Sequence, residues 1–147
     1  MMDKLGYDIK VNKMTDEELQ FSQQAVKNYN RLSNIIWFGD LYRIISPYEE
    51  NRMVAMYVND EKSKAVLFNY NLNTRYKEVL NRVRLQGLDS HKLYRIEETN
   101  LMPGIKSSLA ENGGTFSGDY LMTIGLNLTP GKLMPLSSMI IEINASN

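Results

Sequence analysis

The sequence contains no cysteine and a single histidine in 147 residues. The first absence excludes disulfides and thiolate metal sites, and it leaves the redox compartment unread. The second excludes a metal centre built on a histidine pair, and no Ser-His-Asp order is apparent around His91. No charge of one sign prevails, since Lys and Arg total 17 and Asp and Glu total 17. Electrostatics therefore gives no reason to expect nucleic acid or an anionic membrane surface as partner. No apolar run approaches the ~20 residues of a membrane span. The opening Met1-Met2-Asp3-Lys4-Leu5-Gly6 lacks the apolar core of a signal peptide. No cofactor motif is present, and nothing points to a compartment.

What is there is ordinary in amount and informative in order. Apolar residues make up 43% and charged residues 23%, as in a soluble globular domain. The length suits one domain with a real core. Leu5, Tyr7, Ile9 and Val11 alternate with polar neighbours, which allows a short strand or an extended lead-in. Thr15-Asp16-Glu17-Glu18 then has the form of a capping box, with acidic side chains at the positive end of a helix dipole. No Gly or Pro interrupts Asp16 to Phe38, so a long helix is predicted there, closed by Gly39. Phe21, Ala25, Tyr29, Leu32 and Ile36 fall on one stripe of it, widened by Val26 and Ile35.

After Gly39 the period changes to two. Strands are predicted at Leu41–Ile45, Met53–Asn59, Lys64–Tyr70, Asn81–Leu85, Leu93–Glu97, Gly118–Ile124 and Ser138–Ile143. Turn chemistry separates them at Ser46-Pro47, Asn59-Asp60, Asn71 to Asn73, Pro103-Gly104, Asn112-Gly113-Gly114, Pro130-Gly131 and Pro135. Val83 to Asp89, continued by Lys92 to Ile96, reads as strand, tight turn, strand, with Gly87 at the bend. The pattern predicts a mainly β fold. We expect an antiparallel, Greek-key-like sandwich of about seven to eight strands behind one long helix. The division falls at Met1–Gly39 for lead-in and helix, and Asp40–Asn147 for the β-domain.

Chemistry-bearing residues are sparse. His91 sits in the Asp89-Ser90-His91-Lys92 turn. Asp8, Asp40, Asp60, Asp89 and Asp119 could supply the paired carboxylates of a glycosidase, but each lies at a turn or strand edge, where Asp is expected for capping. Asn112-Gly113-Gly114 precedes no helix pattern, so it reads as a hairpin turn and not a phosphate loop. Trp37 with Phe38 ends the helix, either as an anchor to the sheet or as a stacking platform for a sugar. Tyr42, Tyr48, Tyr57, Tyr70 and Tyr76 would bind carbohydrate only as a coplanar exposed set. No catalytic, cofactor or metal residue is assigned.

Several phrases together resemble the α-galactosidases of glycoside hydrolase family 36. Tyr29-Asn30-Arg31-Leu32, Gly39-Asp40-Leu41-Tyr42-Arg43-Ile44 and Ser46-Pro47 are similar to the end of that family's last barrel helix and the strand after it. Ala55 to Val58 and Lys64 to Phe68 look like the next two strands. Val83 to Asp89 with Tyr94-Arg95-Ile96, and Ser117 to Leu126, resemble two further segments. The likeness runs in order from about Leu5 to Ile143. Asn30 departs from it, standing where the family usually has lysine.

The resemblance implies a C-terminal antiparallel β-domain preceded by the last helix of a (β/α)8 barrel. It implies that the catalytic aspartates of a retaining α-galactosidase belong to a barrel that this chain does not contain, so none is carried over. A structural role beside that barrel is the expected function. Carbohydrate binding through surface aromatics is the alternative. The helix stripe would otherwise meet the barrel, so self-association through Phe21, Ala25, Tyr29, Leu32 and Ile36 is also expected. If the helix instead folds back on its own β-domain, Trp37 should be buried at the joint.

Overall fold

The computed structural model describes Met2, Leu5, Gly6 and residues 11–73, 80–128 and 135–146. Tyr7, Asp8, Ile9, Tyr76 and the Pro130-Gly131 turn lie outside the described residues. A 3-10 turn at Val11–Lys13 leads into helix α1, Asp16–Phe38. The capping box is complete. Glu18 N donates to Thr15 Oγ1 at 3.2 Å, and Thr15 N donates to Glu18 Oε2 at 2.8 Å. The helix ends at Gly39, whose N–H bonds Ile35 O at 2.9 Å. Gly39 is required there by closeness and not by φ. A Cβ on it would lie 2.6 Å from Ile35 O and 2.7 Å from Val58 O.

Among the described residues six strands follow: β1 Asp40–Ile45, β2 Arg52–Val58, β3 Lys64–Asn71, β4 Leu93–Glu98, β5 Thr115–Ser117 and β6 Ser137–Ser146. All pair antiparallel in one sheet of order β1-β2-β3-β6-β4-β5. The last strand is thus inserted between β3 and β4. The mainly β, antiparallel class with a leading helix stands, but the described strands form a single sheet. A bulge between Arg43 and Ile45 shifts the register of β1.

Both faces of the sheet are covered at its centre. Arg-Met-Val-Ala-Met-Tyr-Val in β2 and Lys-Ala-Val-Leu-Phe-Asn-Tyr-Asn in β3 are accordingly near-continuous in apolar character. On one face α1 packs Leu32, Ile35 and Ile36 against Val66, Phe68 and Ile140. On the other face Val54, Met56, Leu67, Tyr94, Ile96 and Ile141 belong to the main core. In β4 the alternation is clean: Tyr94 and Ile96 are buried while Leu93, Arg95 and Glu97 are exposed.

The layer over the main core is not what the pattern of two predicts. Asn81–Leu85 is no strand. Val83 makes a single bridge to Leu126, with bonds of 2.8 and 2.9 Å, and Leu85 N reaches Leu121 O at 2.9 Å. The strand–turn–strand expected across Gly87 therefore does not form, and β4 pairs with β5 and β6 instead. The physical reason is that Val83, Leu85 and Leu88 all turn inward as a lid on the sheet, at 1%, 2% and 4% exposure. Gly118–Ile124 is also no strand. It begins helix α2, Gly118–Thr123, because Ser117 caps it by accepting from Tyr120 N at 3.1 Å. The short strand β5 sits just before this cap, and the Asn112-Gly113-Gly114 turn leads into it. Leu121 from α2 and Leu126 and Leu128 after it complete the lid.

Candidate functional site

Among the described residues, those singled out by chemistry sit on different loops and element ends, of which the Asp89 and Asp119 segments meet, with Asp119 N donating to Ser90 O at 3.3 Å. Asp40 opens β1, Asp60 lies in the β2–β3 turn, Asp89 in the turn before β4, and Asp119 in the first turn of α2. Asp89 has a local duty, since its Oδ1 accepts from His91 N at 2.9 Å. His91 itself is exposed. Among the described residues no group of three or more His, Cys, Asp or Glu is placed to hold a metal ion.

The tyrosines are likewise divided. Tyr42 is half-buried against the main core, on the lid side of the sheet. Tyr57 and Tyr70 lie on the helix side, flanking Phe68 edge-on and stacked at 6.1 and 6.5 Å between ring centroids. Burial, with Tyr57 close by, pushes the Tyr70 phenol above its usual range. Tyr48 alone of these is fully exposed.

The surface that remains is built around α1. Leu32 and Ile36 are 3% and 6% exposed, covered by the sheet of their own chain. Phe21, Ala25 and Tyr29 are partly buried. Phe21 and Ala25 line a groove of about 230 Å³ together with Asn28, Tyr70, Thr99 and Ile140. The helix is further fixed by polar bonds that the apolar stripe does not reveal. Arg31 pairs through both Nη atoms with the buried Glu142 carboxylate of β6. Asn28 Nδ2 donates to Thr99 O at 2.9 Å, and its Oδ1 accepts from Gln24 Nε2 at 3.0 Å. The bond to Glu142 raises the Arg31 pKa further. The signal in the sequence was a lone Glu142 within the apolar run Met139 to Ile143, which demands a cation across the face.

The far end of the helix corrects an expectation. Trp37 is 49% exposed and Phe38 78%, so neither is an anchor buried at the joint. The joint is made by Gly39, on which a Cβ would lie 2.7 Å from Val58 O. Val26 shares the outward side with Trp37, since eleven residues make about three helical turns. A second, shallower groove lies beside Phe38, bounded by Asn34, Asn59, Asp60 and Glu61.

Comparison with known proteins decides what this architecture is. Residues 52–143 match the sequence model of the glycosyl hydrolase family 36 C-terminal domain. The chain belongs to that family. Alpha-galactosidase AgaA of Geobacillus stearothermophilus is 30% identical over 145 residues, which cover 99% of this chain and 18% of that protein. Alpha-galactosidase Mel36A of Lactobacillus acidophilus is 30% identical over 125 residues, 85% of this chain and 15% of its own length. The crystal structure of AgaA superposes with a TM-score of 0.78 at 28% identity, over 96% of this chain and 18% of that one. The chain thus spans less than a fifth of the relatives it matches. The matched domain begins at Arg52, whereas the likeness to AgaA takes in α1 as well.

Proposed function

We propose that this chain serves an α-galactosidase as a non-catalytic C-terminal domain, and that α1 is the face through which it meets the catalytic portion. The observation that carries the reading is the exposure of Trp37 and Phe38 on a helix that lies outside the family's domain match yet is shared with AgaA. A helix within the stretch aligned to a longer relative, ending in two large exposed aromatics, suits burial against a neighbouring part of the same enzyme. Hydrolysis of α-galactosides then belongs to that neighbour. Asp89 has a capping duty of its own, its Oδ1 accepting from His91 N at 2.9 Å, which supports the assignment for that residue.

In the absence of the catalytic portion, the same helix is proposed to self-associate. Phe21, Ala25, Tyr29, Leu32 and Ile36 were the expected contact. Leu32 and Ile36 are already covered by the chain's own sheet, so the contact shifts to Val26, Trp37 and Phe38, with Phe21 and Ala25 at its margin.

The test of the catalytic assignment is direct. Purified chain, given a chromogenic α-galactoside, should release no product above buffer. Turnover that disappears on Asp40→Asn or Asp119→Asn would overturn the proposal.

A further inference from the structure

One end of the sheet carries a cluster of buried polar groups on the core side. Arg52 of β2 is the register partner of Asn71 of β3, and Asn71 is the register partner of Ser137 of β6. Asn69 lies two residues from Asn71 on the same face, opposite Val54 and Met139. These positions share the parity of Val54, Leu67 and Ile141, so all point toward the main core. Arg52, Asn69 and Asn71 are 1%, 0% and 9% exposed.

Part of this polarity is satisfied within the protein. Arg52 Nε donates to Glu50 Oε2 at 2.7 Å, and Arg52 Nη2 donates to Asn81 O at 3.0 Å. Asn71 Nδ2 donates to Ser137 Oγ at 3.0 Å. Among the described residues four atoms of the cluster have no partner: Arg52 Nη1, Asn69 Nδ2, Asn69 Oδ1 and Asn71 Oδ1. Polar atoms so deeply buried are almost always hydrogen-bonded, because desolvating them without compensation is costly.

We propose that this cluster is a binding site for ordered water, which bridges Arg52, Asn69 and Asn71 and ties β2, β3 and β6 together at this end of the sheet. The choice of ligand follows from the set of atoms. Two are donors, Arg52 Nη1 and Asn69 Nδ2. Two are acceptors, Asn69 Oδ1 and Asn71 Oδ1. An ion of either sign answers one kind only, and the Arg52 charge already has Glu50 beside it. Water answers both kinds, and a buried water typically makes about three bonds. Asn69 and Asn71 stand about 7 Å apart along the strand, a span that one or two waters can bridge. Through Arg52 and Asn81 O the same node holds the start of the lid segment that leads to Val83 and Leu85.

Two measurements test this on the intact chain. A high-resolution crystal structure should show water oxygen within hydrogen-bond distance of both atoms of the Asn69 amide. The variant Asn69→Leu, which is close in size, should lower Tm by about 3 °C or more, since it removes bonds the site makes. A dry Asn69, or one bonded directly to another protein group, would overturn the proposal, as would a higher Tm for Asn69→Leu. If that variant does not fold, long-lived water cross-relaxation to the Asn69 side-chain amide protons in the wild type decides the matter, and its absence refutes the site.

Discussion

The Tyr42 ring lies directly over Gly87, joining edge strand β1 to the lid. Gly87 has φ +76, and a Cβ there would fall within 2.6 Å of the Tyr42 hydroxyl. A side chain there is strained by the backbone conformation and would also displace the Tyr42 ring. Gly87→Val should destabilise the chain by about 2–4 kcal/mol, combining backbone strain with overpacking. Chemical denaturation reads this as a lower midpoint at unchanged slope. A second variant separates the two causes. With Tyr42→Ala in the background, Gly87→Val should cost less, because only the φ strain remains. An unaltered midpoint for Gly87→Val would show that the contact does not constrain the lid.

Arg31 and Glu142 offer a sharper asymmetry. The Glu142 side chain is 7% exposed while that of Arg31 is 51% exposed. Arg31→Met leaves a buried carboxylate without its cation and should cost about 2–4 kcal/mol, somewhat under the figure for a fully buried pair. The double variant Arg31→Met, Glu142→Met should recover most of that loss, because the buried charge goes with its partner. A thermal-unfolding double-mutant cycle measures both. Additive losses would mean that the pair does not act as a unit.

Much of this fold was legible in the sequence, and the misses have a common cause. Helix α1 was clear because its start and stop are local: a capping box at Thr15 and a glycine at 39. Strands β2 and β3 were clear because a two-sided sheet leaves apolar residues at nearly every position. Val83 and Leu85 alternate just as a strand does, yet they form a lid, since inward-facing apolar residues say nothing about which backbone partners exist. Leu121 and Met122 sat in an apolar run too short for periodicity to resolve, and the Ser117 cap chose the helix. Glu142 in its apolar run signals the need for a cation, but that the cation is Arg31, 111 residues away, is beyond any local pattern. The exposure of Trp37 was hidden as well, because it depends on which face of the helix seats on the sheet, and that face is Leu32, Ile35 and Ile36.

Tyr94 links the turn after Gly87 to the one between β2 and β3. Its hydroxyl accepts from Asp89 N at 3.0 Å and donates to Lys62 O at 2.6 Å. Burial raises its pKa from the usual 10.0, partly offset by the bond from Asp89. A tyrosine whose folded pKa is raised gives stability that is fully present below the unfolded value and lost as pH rises through the folded one. Tyr70 is shifted in the same direction. Tm should therefore fall as pH is taken above 10, and the fall should be shallower in Tyr94→Phe. That variant should also lose stability at neutral pH, because Asp89 N and Lys62 O each lose a partner. Parallel alkaline slopes for wild type and variant would show that this phenol does not contribute.

The outer face of α1 gives the prediction that bears most directly on function. Val26, Trp37 and Phe38 are 40%, 49% and 78% exposed, whereas Leu32 and Ile36 are already covered. Burying large apolar side chains is worth about 1.5–3 kcal/mol each when complete, against an association cost that is itself several kcal/mol. Two or three half-exposed side chains can thus support only a weak contact between copies, and identical faces meeting about a two-fold axis close it as a dimer. Light scattering should show a monomer at low micromolar concentration and a growing dimer fraction in the high micromolar range. Trp37→Lys with Phe38→Lys should abolish the dimer and leave Tm nearly unchanged, since neither side chain belongs to a core and a cation suits the last helical turn. Leu32→Glu should instead lower Tm sharply, because it places a charge between helix and sheet. A wild-type monomer at every concentration would remove the self-association, and a dimer that survives the Trp37, Phe38 double variant would move the contact off this helix. Neither result would touch the family assignment, which rests on residues 52–143 and not on α1.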